Sequence, residues 1–500
     1  MHIKQHRDTD LFPVLKEYDI LFAHEDNLIK KLTSINIGDY EWQDYRRFLI
    51  PKDDISYRVA IQLDPIDSIL FEAIIFEYGD LIEKKRVPIS EKRVFSYRFS
   101  PDDNGQLYDK KDSWNSFCQT IQQKSSTYSY ALYIDIADFY NQTYHHHIDN
   151  QLVSCGFPNQ IKRALIHMLQ NTTQTVSHGI PVGNYASHLL AELYLISFDE
   201  AALTSGYDFC RYADDIYIFV NSEIEAKNAI LDVARILDSI KLSIQRHKTK
   251  IYDKECLNQR IANMADIDPA DGLEKDFIDV FSKHSLDPYE RISVFEFTEE
   301  ERDVFSVSAV TKLLDSYLIN EPNYQNISWL YKRLSRVGVD SAVSYTIEKI
   351  NSLLPAFHDI ASYFLSVAET QCGPQLEIGS KLFDFYKNNP LIKHNPYYQL
   401  SILHLFASNR SFNHLQEMIK LFEITNDHGR REIILSAYSA DAVDWIRGIR
   451  HEFGNLGSWS KRAMIIAASL LQPDERKFFY ESIKKNSQGY TIQLLMEFLK

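Results

Sequence analysis

Arg211-Tyr212-Ala213-Asp214-Asp215-Ile216-Tyr217-Ile218-Phe219-Val220 places two adjacent carboxylates inside a run that is otherwise apolar and aromatic. The flanks have strand character, yet two acids buried side by side in a strand are costly unless a cation compensates them. A β-hairpin whose turn carries Asp214 and Asp215 to a sheet edge resolves the conflict. A plain Asp-Asp turn on a surface is the commoner fate of such a pair, so the run implies chemistry only if partners exist elsewhere.

Two further segments supply them. Ala131-Leu132-Tyr133-Ile134-Asp135-Ile136-Ala137-Asp138-Phe139-Tyr140 is a second apolar strand that ends in Asp135, with Asp138 and Tyr140 three and five residues on. Gly179-Ile180-Pro181-Val182-Gly183-Asn184-Tyr185-Ala186-Ser187 is a glycine-flanked turn opening a helix, and its small residues let backbone amides approach a bound nucleotide. Two carboxylates from one turn and one from another strand can hold a pair of divalent ions ~3.5–4 Å apart, the clamp that in-line phosphoryl transfer needs.

Tyr-Ala-Asp-Asp at 212–215, with Asp135 and the Gly-Ile-Pro-x-Gly turn, resembles the palm of a reverse transcriptase, and the order along the chain matches. Leu242-Ser243-Ile244-Gln245-Arg246-His247-Lys248-Thr249-Lys250-Ile251 resembles the bacterial reverse-transcriptase pattern that ends in Lys-Thr. Val94-Phe95-Ser96-Tyr97-Arg98 sits where the fingers strands of that fold would place a triphosphate-binding arginine. The wording of 135–146, Asp-Ile-Ala-Asp-Phe-Tyr-Asn-Gln-Thr-Tyr-His-His, is similar to abortive-infection reverse transcriptases, which defend bacteria against phage. In that family a helical, HEAT-like domain replaces the thumb.

The resemblance implies a role for each matching residue. Asp135, Asp214 and Asp215 would be catalytic and would bind magnesium or manganese. Asp138 and Gly183 would lie against the incoming nucleotide, and Tyr140 would stack under its sugar, excluding a 2′-hydroxyl. Arg98, with Lys92 or Arg93, would grip phosphates, and Lys248 would supply charge or a proton to the leaving group. The partners implied are deoxynucleoside triphosphates, a single-stranded DNA product and a second copy of the chain. Two departures stand out: Val182 replaces the Gln that monitors a template-paired nucleotide, and no Phe-Leu-Gly primer-grip pattern follows residue 251. Both favour template-independent synthesis from a primer on the protein itself, with the product covalently attached. Tyr18, Tyr40 and Tyr45, upstream of the fingers, are the candidate priming residues. The alternatives are an RNA-templated reverse transcriptase working with a non-coding RNA, and a relic palm carried by a sensing helical domain.

Charge agrees with the departures. The chain has 500 residues and a formal charge of −15, of which residues 1–280 hold 30 basic against 43 acidic side chains, a net of −13. A protein that tracks a long duplex needs a basic stripe to displace counterions. The five cysteines (Cys118, Cys155, Cys210, Cys256 and Cys372) are scattered and form no CxxC, so they are expected to be free thiols. His145-His146-His147 points around a helix and cannot face one ion, so a packing role is expected. The first residues lack the apolar core of a signal peptide, and the longest apolar runs, 69–76 and 463–471, are far short of a membrane span. A cytoplasmic protein without membrane contact is expected.

The predicted fold is α+β: fingers and palm over 1–265, an acidic linker over 266–290 and an all-helical HEAT-like domain over 291–500. Before residue 260, strands at 94–99, 131–135 and 210–220 alternate with helices at 65–85, 145–170, 186–201 and 223–240. The Asp/Glu-rich stretch from 266 to 279 lacks the Gly and closing Glu of a calcium loop, and so reads as an exposed linker. After residue 290 the periodicity is helical throughout, opening on a capping box at Thr298 and Glu301. Helices are predicted at 358–370, 375–388, 396–408, 412–424, 429–448, 459–471 and 474–486.

Overall fold

The computed structural model describes residues 1–109, 113–264, 272–284, 292–319, 321–371, 373–484 and 489–500. They divide into two compact units. The first is built from Met1–Asp10, Asp26–Arg46 and Ile61–Asp268, and the second from Leu11–Glu25, Arg47–Ala60 and Pro269–Lys500. Whereas 1–265 was expected as one continuous domain, two N-terminal segments pack with the helical unit. The physical reason is apolar burial: Phe12, Phe48, Ile50 and Ala60 lie in that unit's core. A helix also occupies part of the expected linker, Gly272–His284. Its Phe277, Val280 and Phe281 share a face at offsets of three and four, and are buried. The remainder of the 266–290 expectation, and Cys372, lie outside the described residues.

The first unit is organised by a four-stranded antiparallel sheet in the order β4-β5-β3-β6. Its strands are β3 (Tyr130–Asp135), β4 (Asp208–Tyr212), β5 (Asp215–Val220) and β6 (Lys250–Asp253). A separate two-stranded sheet pairs β1 (Arg46–Pro51) with β2 (Tyr57–Gln62). The Ile, Leu, Tyr and Phe alternation of β3 and β5 makes both sheet faces apolar, so both must be covered. Leu132, Ile134, Ile216 and Ile218 belong to the core formed with the helices Ala186–Thr204 and Glu223–Ser239. On the other face, Tyr133, Tyr217 and Phe219 pack with Phe117 and Ile121 of the Ser113–Thr127 helix and with Leu257 and Ile261 of the Lys254–Met264 helix.

Two elements differ from the sequence reading. The 94–99 strand is absent: Val94 makes one bridge to Arg211 and Phe99 one to Tyr108, while Tyr97 between them has φ +44° and cannot continue a ladder. The expected helix 145–170 is two helices, His145–Ser154 and Asn159–Thr172. Gly156 at φ +84° followed by Pro158 as N-cap ends the first and restarts the second.

Behind the β4–β5 turn lies a buried ionic network. Arg211 grips Asp199 with two bonds, Nε to Oδ1 at 2.7 Å and Nη2 to Oδ2 at 2.6 Å. Its Nη1 also pairs with Glu192 at 2.9 Å, and Arg86 reaches the same carboxylate at 2.7 Å. All four side chains are excluded from solvent.

The second unit is helical from Gly272 onward among the described residues. It opens on the capping box of Thr298 and Glu301, both halves of which form. Six helices then make a row in which each packs on the next: Tyr324–Val337, Phe357–Thr370, Pro396–Ser408, Asp427–Ser439, Ser458–Ala468 and Tyr490–Phe498. Further helices, among them Val343–Leu353, Gln375–Asn388 and Pro473–Ile483, run between them in the chain. This nearest-neighbour packing is the HEAT-like arrangement, with no central bundle core. The 429–448 periodicity is interrupted after Ser439, where Asp441 adopts φ +53°, and helix resumes at Val443–Ile449. No helix is long and apolar enough to cross a membrane among the described residues.

Removing one partner from a buried ionic network strands the others. Arg211→Met is therefore expected to lower unfolding free energy by about 3–5 kcal/mol, read by denaturant titration. Lys16→Met, at the exposed pair with Asp19, should leave the denaturation midpoint unchanged.

Candidate active site

The β3–β5 register brings the acids together. Asp135, the last residue of β3, is the cross-strand partner of Asp215, the first residue of β5, and Asp214 stands in the intervening β4–β5 turn. Paired residues share a sheet face, so Asp135, Asp215, Tyr133 and Tyr217 project to the side covered by the Ser113–Thr127 and Lys254–Met264 helices. The two-residue turn requires a left-handed backbone, and Ala213 supplies it at φ +51°, a conformation that costs a non-glycine residue ~1–2 kcal/mol. Ser96 stabilises that turn. Its hydroxyl accepts the Ala213 N–H at 2.8 Å and donates to Glu192 at 2.5 Å.

Negative charge at the turn is only partly compensated. Burial first, then repulsion from Asp215 and Asp135, pushes the Asp214 carboxyl up to about 6. Asp215 is also raised, mainly by burial and against a hydrogen bond from Tyr133, whose hydroxyl lies 2.5 Å from Oδ1. Asp135 is paired with Lys248, Nζ to Oδ2 at 2.7 Å. Partial burial opposes the charged Lys248, but the bond to Asp135 and the fields of Asp214 and Asp215 raise its pKa overall. Among the described residues no three His, Cys, Asp or Glu side chains are gathered into a ligating group as they stand. The donor chemistry nonetheless fits a hard divalent cation: three carboxylates at neighbouring positions, two of them destabilised as anions for want of positive charge.

The other predicted residues fall into two groups. In the first group, Tyr140, within the field of Asp214, is half-buried, with its hydroxyl 2.8 Å from Nδ1 of His188. Burial pushes His188 down to about 4, leaving a neutral ring that stacks on Tyr97 at 4.0 Å. Asp138 is exposed at φ +46°, where it caps the next short helix and accepts from the Asn141 amide at 2.7 Å. Gly183 takes φ +120°, a conformation that suits glycine, while the Val182 carbonyl accepts from Ile61 N at 2.9 Å.

In the second group, Arg98 does not present its guanidinium as expected. It is buried, ion-paired with Glu83, and donates to the Val87 carbonyl at 3.0 Å. Arg93 is held by Asp208 at 3.1 Å, whereas Lys92 is exposed. None of the candidate priming tyrosines lies on an unattached segment. Tyr18 is buried in the helix Glu17–Ala23 of the second unit, Tyr40 donates to Asp67 at 2.7 Å, and Tyr45 packs against the first unit's core. Two of the three histidines pack, His145 Nε2 meeting the Gly179 carbonyl at 2.8 Å and His147 Nε2 the Tyr194 carbonyl at 3.2 Å, whereas His146 is exposed. Cys118, Cys155, Cys210 and Cys256 are free thiols.

Three contributors escaped the sequence reading. Tyr133 shares the face of Asp135 by simple alternation, a signal that was available. Arg260 stacks over Tyr133 at 4.1 Å and donates to the Tyr217 hydroxyl at 2.7 Å, and nothing local marks it out. Ser96 lies 117 residues before the amide that it holds.

Residues 50–259 match the family described as reverse transcriptase (RNA-dependent DNA polymerase). The chain therefore carries a reverse transcriptase domain, a polymerase-type fold, over that span. No curated protein matches the chain. Among solved structures, it is similar to telomerase from Candida albicans in complex with a TWJ fragment of telomeric RNA, at 11% identity and a TM-score of 0.31, over 81% of this chain and 70% of that one. It is also similar to the corresponding telomerase complex from Candida tropicalis, at 10% identity and a TM-score of 0.32, over 72% and 67%.

The raised Asp214 carboxyl sets a pH dependence with a definite sign. Its folded-state pKa, about 6, exceeds the unfolded value near 3.8, so its protonation favours folding below ~pH 4 and that contribution is lost as pH rises through 6. In chelator, Asp214→Asn should flatten this slope and raise stability at pH 7 by up to ~3 kcal/mol. Thermal melts at pH 4, 6 and 7.5 measure it.

Proposed function

We propose that the first unit polymerises deoxynucleotides, and that it does so without a template from a hydroxyl of the protein, in defence against phage. The observation that carries the polymerase reading is the Asp135–Asp215 register with Asp214 in the adjoining turn, three acids on one sheet edge within the reverse transcriptase domain. Asp135, Asp214 and Asp215 would hold magnesium or manganese ions, which when bound neutralise charge on the reacting phosphates. Lys248 carries a largely exposed ammonium paired with Asp135, suited to supplying charge or a proton to departing pyrophosphate. Tyr140, fixed through His188, supplies a ring for discriminating the sugar.

Two features support template independence. Residues 1–280 are net −13, and the sheet face from which Asp135 and Asp215 project is covered by the Ser113–Thr127 and Lys254–Met264 helices. That cover reduces the open surface on which a long duplex could lie. The priming hydroxyl and the defence role rest on the resemblance to abortive-infection reverse transcriptases. Tyr40 and Tyr45 remain in the first unit with the acids and are the better candidates, since Tyr18 is buried in the second.

Incubation of the purified chain with magnesium and labelled deoxynucleotides, without nucleic acid, should give polymer that enters a denaturing gel only after protease digestion. Label migrating as free DNA before digestion would refute self-priming. Asp214→Asn should reduce incorporation by at least ~100-fold, because the charge that stabilises the transition state is lost.

Tyr140→Ala tests the sugar gate separately. Ribonucleotide discrimination, measured as the ratio of incorporation efficiencies, should fall roughly 10-fold or more as the clash with a 2′-hydroxyl is removed. An unchanged ratio assigns the gate to another group.

A further inference from the structure

A cavity of about 360 Å³ lies in the first unit beside the catalytic turn. That volume falls near the lower end of the ~300–1,000 Å³ typical of small-molecule sites. Tyr97, Tyr108 and Tyr212 contribute an aromatic lining, and Tyr212 is two residues from Asp214. A second part of the lining is the Ser113–Thr127 helix, which presents Ser116, Gln119 and Gln123. Spacings of three and four residues put these on one helix face, so the wall is a continuous polar stripe without charge.

The chemistry of this lining selects among ligands. An apolar guest would leave the amides of Gln119 and Gln123 without partners on its side, and neither amide is bonded within the protein among the described residues. Among the described residues a bare anion would find little positive charge, because the guanidinium of Arg98, also at the cavity, is neutralised by Glu83. Lys92 lines the cavity too, and no carboxylate pairs with it among the described residues; the nearby acid Asp109 has a partner of its own. Among the described lining residues, flat aromatic rings, neutral donors and acceptors, and one cation without a carboxylate partner together suit a planar heterocycle with polar edges, joined to one phosphate.

We propose that this cavity binds the unpaired nucleobase of a single nucleotide, with the tyrosines against its face, the amides of Gln119 and Gln123 on its edge, and Lys92 towards its phosphate. The site is separate from the three carboxylates, none of which lines it. Its use in synthesis rests on the polymerase reading above: the protein, and no template strand, would then discriminate among bases.

Binding is measured apart from chemistry. Full-length Asp214→Asn protein is titrated calorimetrically, in chelator, with the four deoxynucleosides, their 5′-monophosphates and inorganic phosphate. Deoxynucleosides are expected to bind, with unequal affinities for the four bases. Gln119→Leu/Gln123→Leu should weaken them roughly 10-fold and level those differences. Lys92→Ala should weaken the monophosphates alone. Circular dichroism melts confirm that the exposed substitutions leave the fold intact. Nucleosides that fail to bind, affinities unmoved by the glutamine substitutions, or monophosphate binding abolished by competing inorganic phosphate would each overturn the proposal. Nucleoside binding by a wild-type protein that incorporates no nucleotide would uphold the cavity and sink the polymerase reading, so the two fail separately.

Discussion

The guanidinium of Arg211 sits between Glu192 and Asp199 with no exposure to water, and the geometry of the candidate active site follows from that enclosure. Arg211 lies three residues before Asp214. Glu192 and Asp199 stand seven residues, about two turns, apart on one long helix, Ala186–Thr204, so the network ties the β4–β5 hairpin to the helix that begins just beyond the Gly179–Gly183 turn. Arg86 extends it to the 94–99 segment by donating to the Ser96 and Tyr97 carbonyls at 2.6 and 2.9 Å. Two arginines balance two carboxylates, which keeps Glu192 ionised: its burial is offset by Arg211 and Arg86 and its pKa falls overall. That ionised carboxylate holds Ser96, and Ser96 holds the Ala213 amide. Left-handed backbone at an alanine persists because the surroundings over-determine it.

The charge balance reverses over the short distance from Arg211 to Asp214. Behind the turn every carboxylate has an arginine. In front of it, three acids share one lysine whose side chain is largely exposed. Burying acids without matching cations costs stability, and burial, with the neighbouring acids adding to it, raises the Asp214 and Asp215 carboxyls. Such a deficit is what divalent ions would offset under the proposed phosphoryl-transfer chemistry. The rigid, neutralised network and the deficient front edge are thus complementary parts of one construction.

The cover over the sheet also constrains substrate. Helices Ser113–Thr127 and Lys254–Met264 close the side from which Asp135 and Asp215 project, and Arg260 adds a cation against Tyr133 and Tyr217 beneath them. Little apolar sheet is left open, and the polar stripe of Ser116, Gln119 and Gln123 belongs to the same covering helix. One helix therefore covers the sheet face that the acids share and lines the adjacent cavity.

The acids, the hairpin and the division into an α+β part and a helical part were legible in the sequence, because each is a local pattern. Alternation marks β3 and β5, an Asp pair can only turn at an edge, and 3.6-residue periodicity with a capping box marks the helices after residue 297. Tertiary structure decided what depends on distant partners. Arg98 looks like a phosphate ligand until Glu83, fifteen residues earlier, is seen to occupy it. The segment 94–99 has strand composition, but Tyr97 turns left-handed and its neighbours bridge elsewhere. Phe12 and Phe48 read as parts of an N-terminal domain, yet their burial assigns them to the helical unit. Pairing of Ser96 with Ala213, and of Arg260 with Tyr217, spans 117 and 43 residues, and no periodicity along the chain encodes which polar group will meet which. Local sequence determines where chemistry is placed, and long-range electrostatic pairing determines which of its charged residues remain available for it.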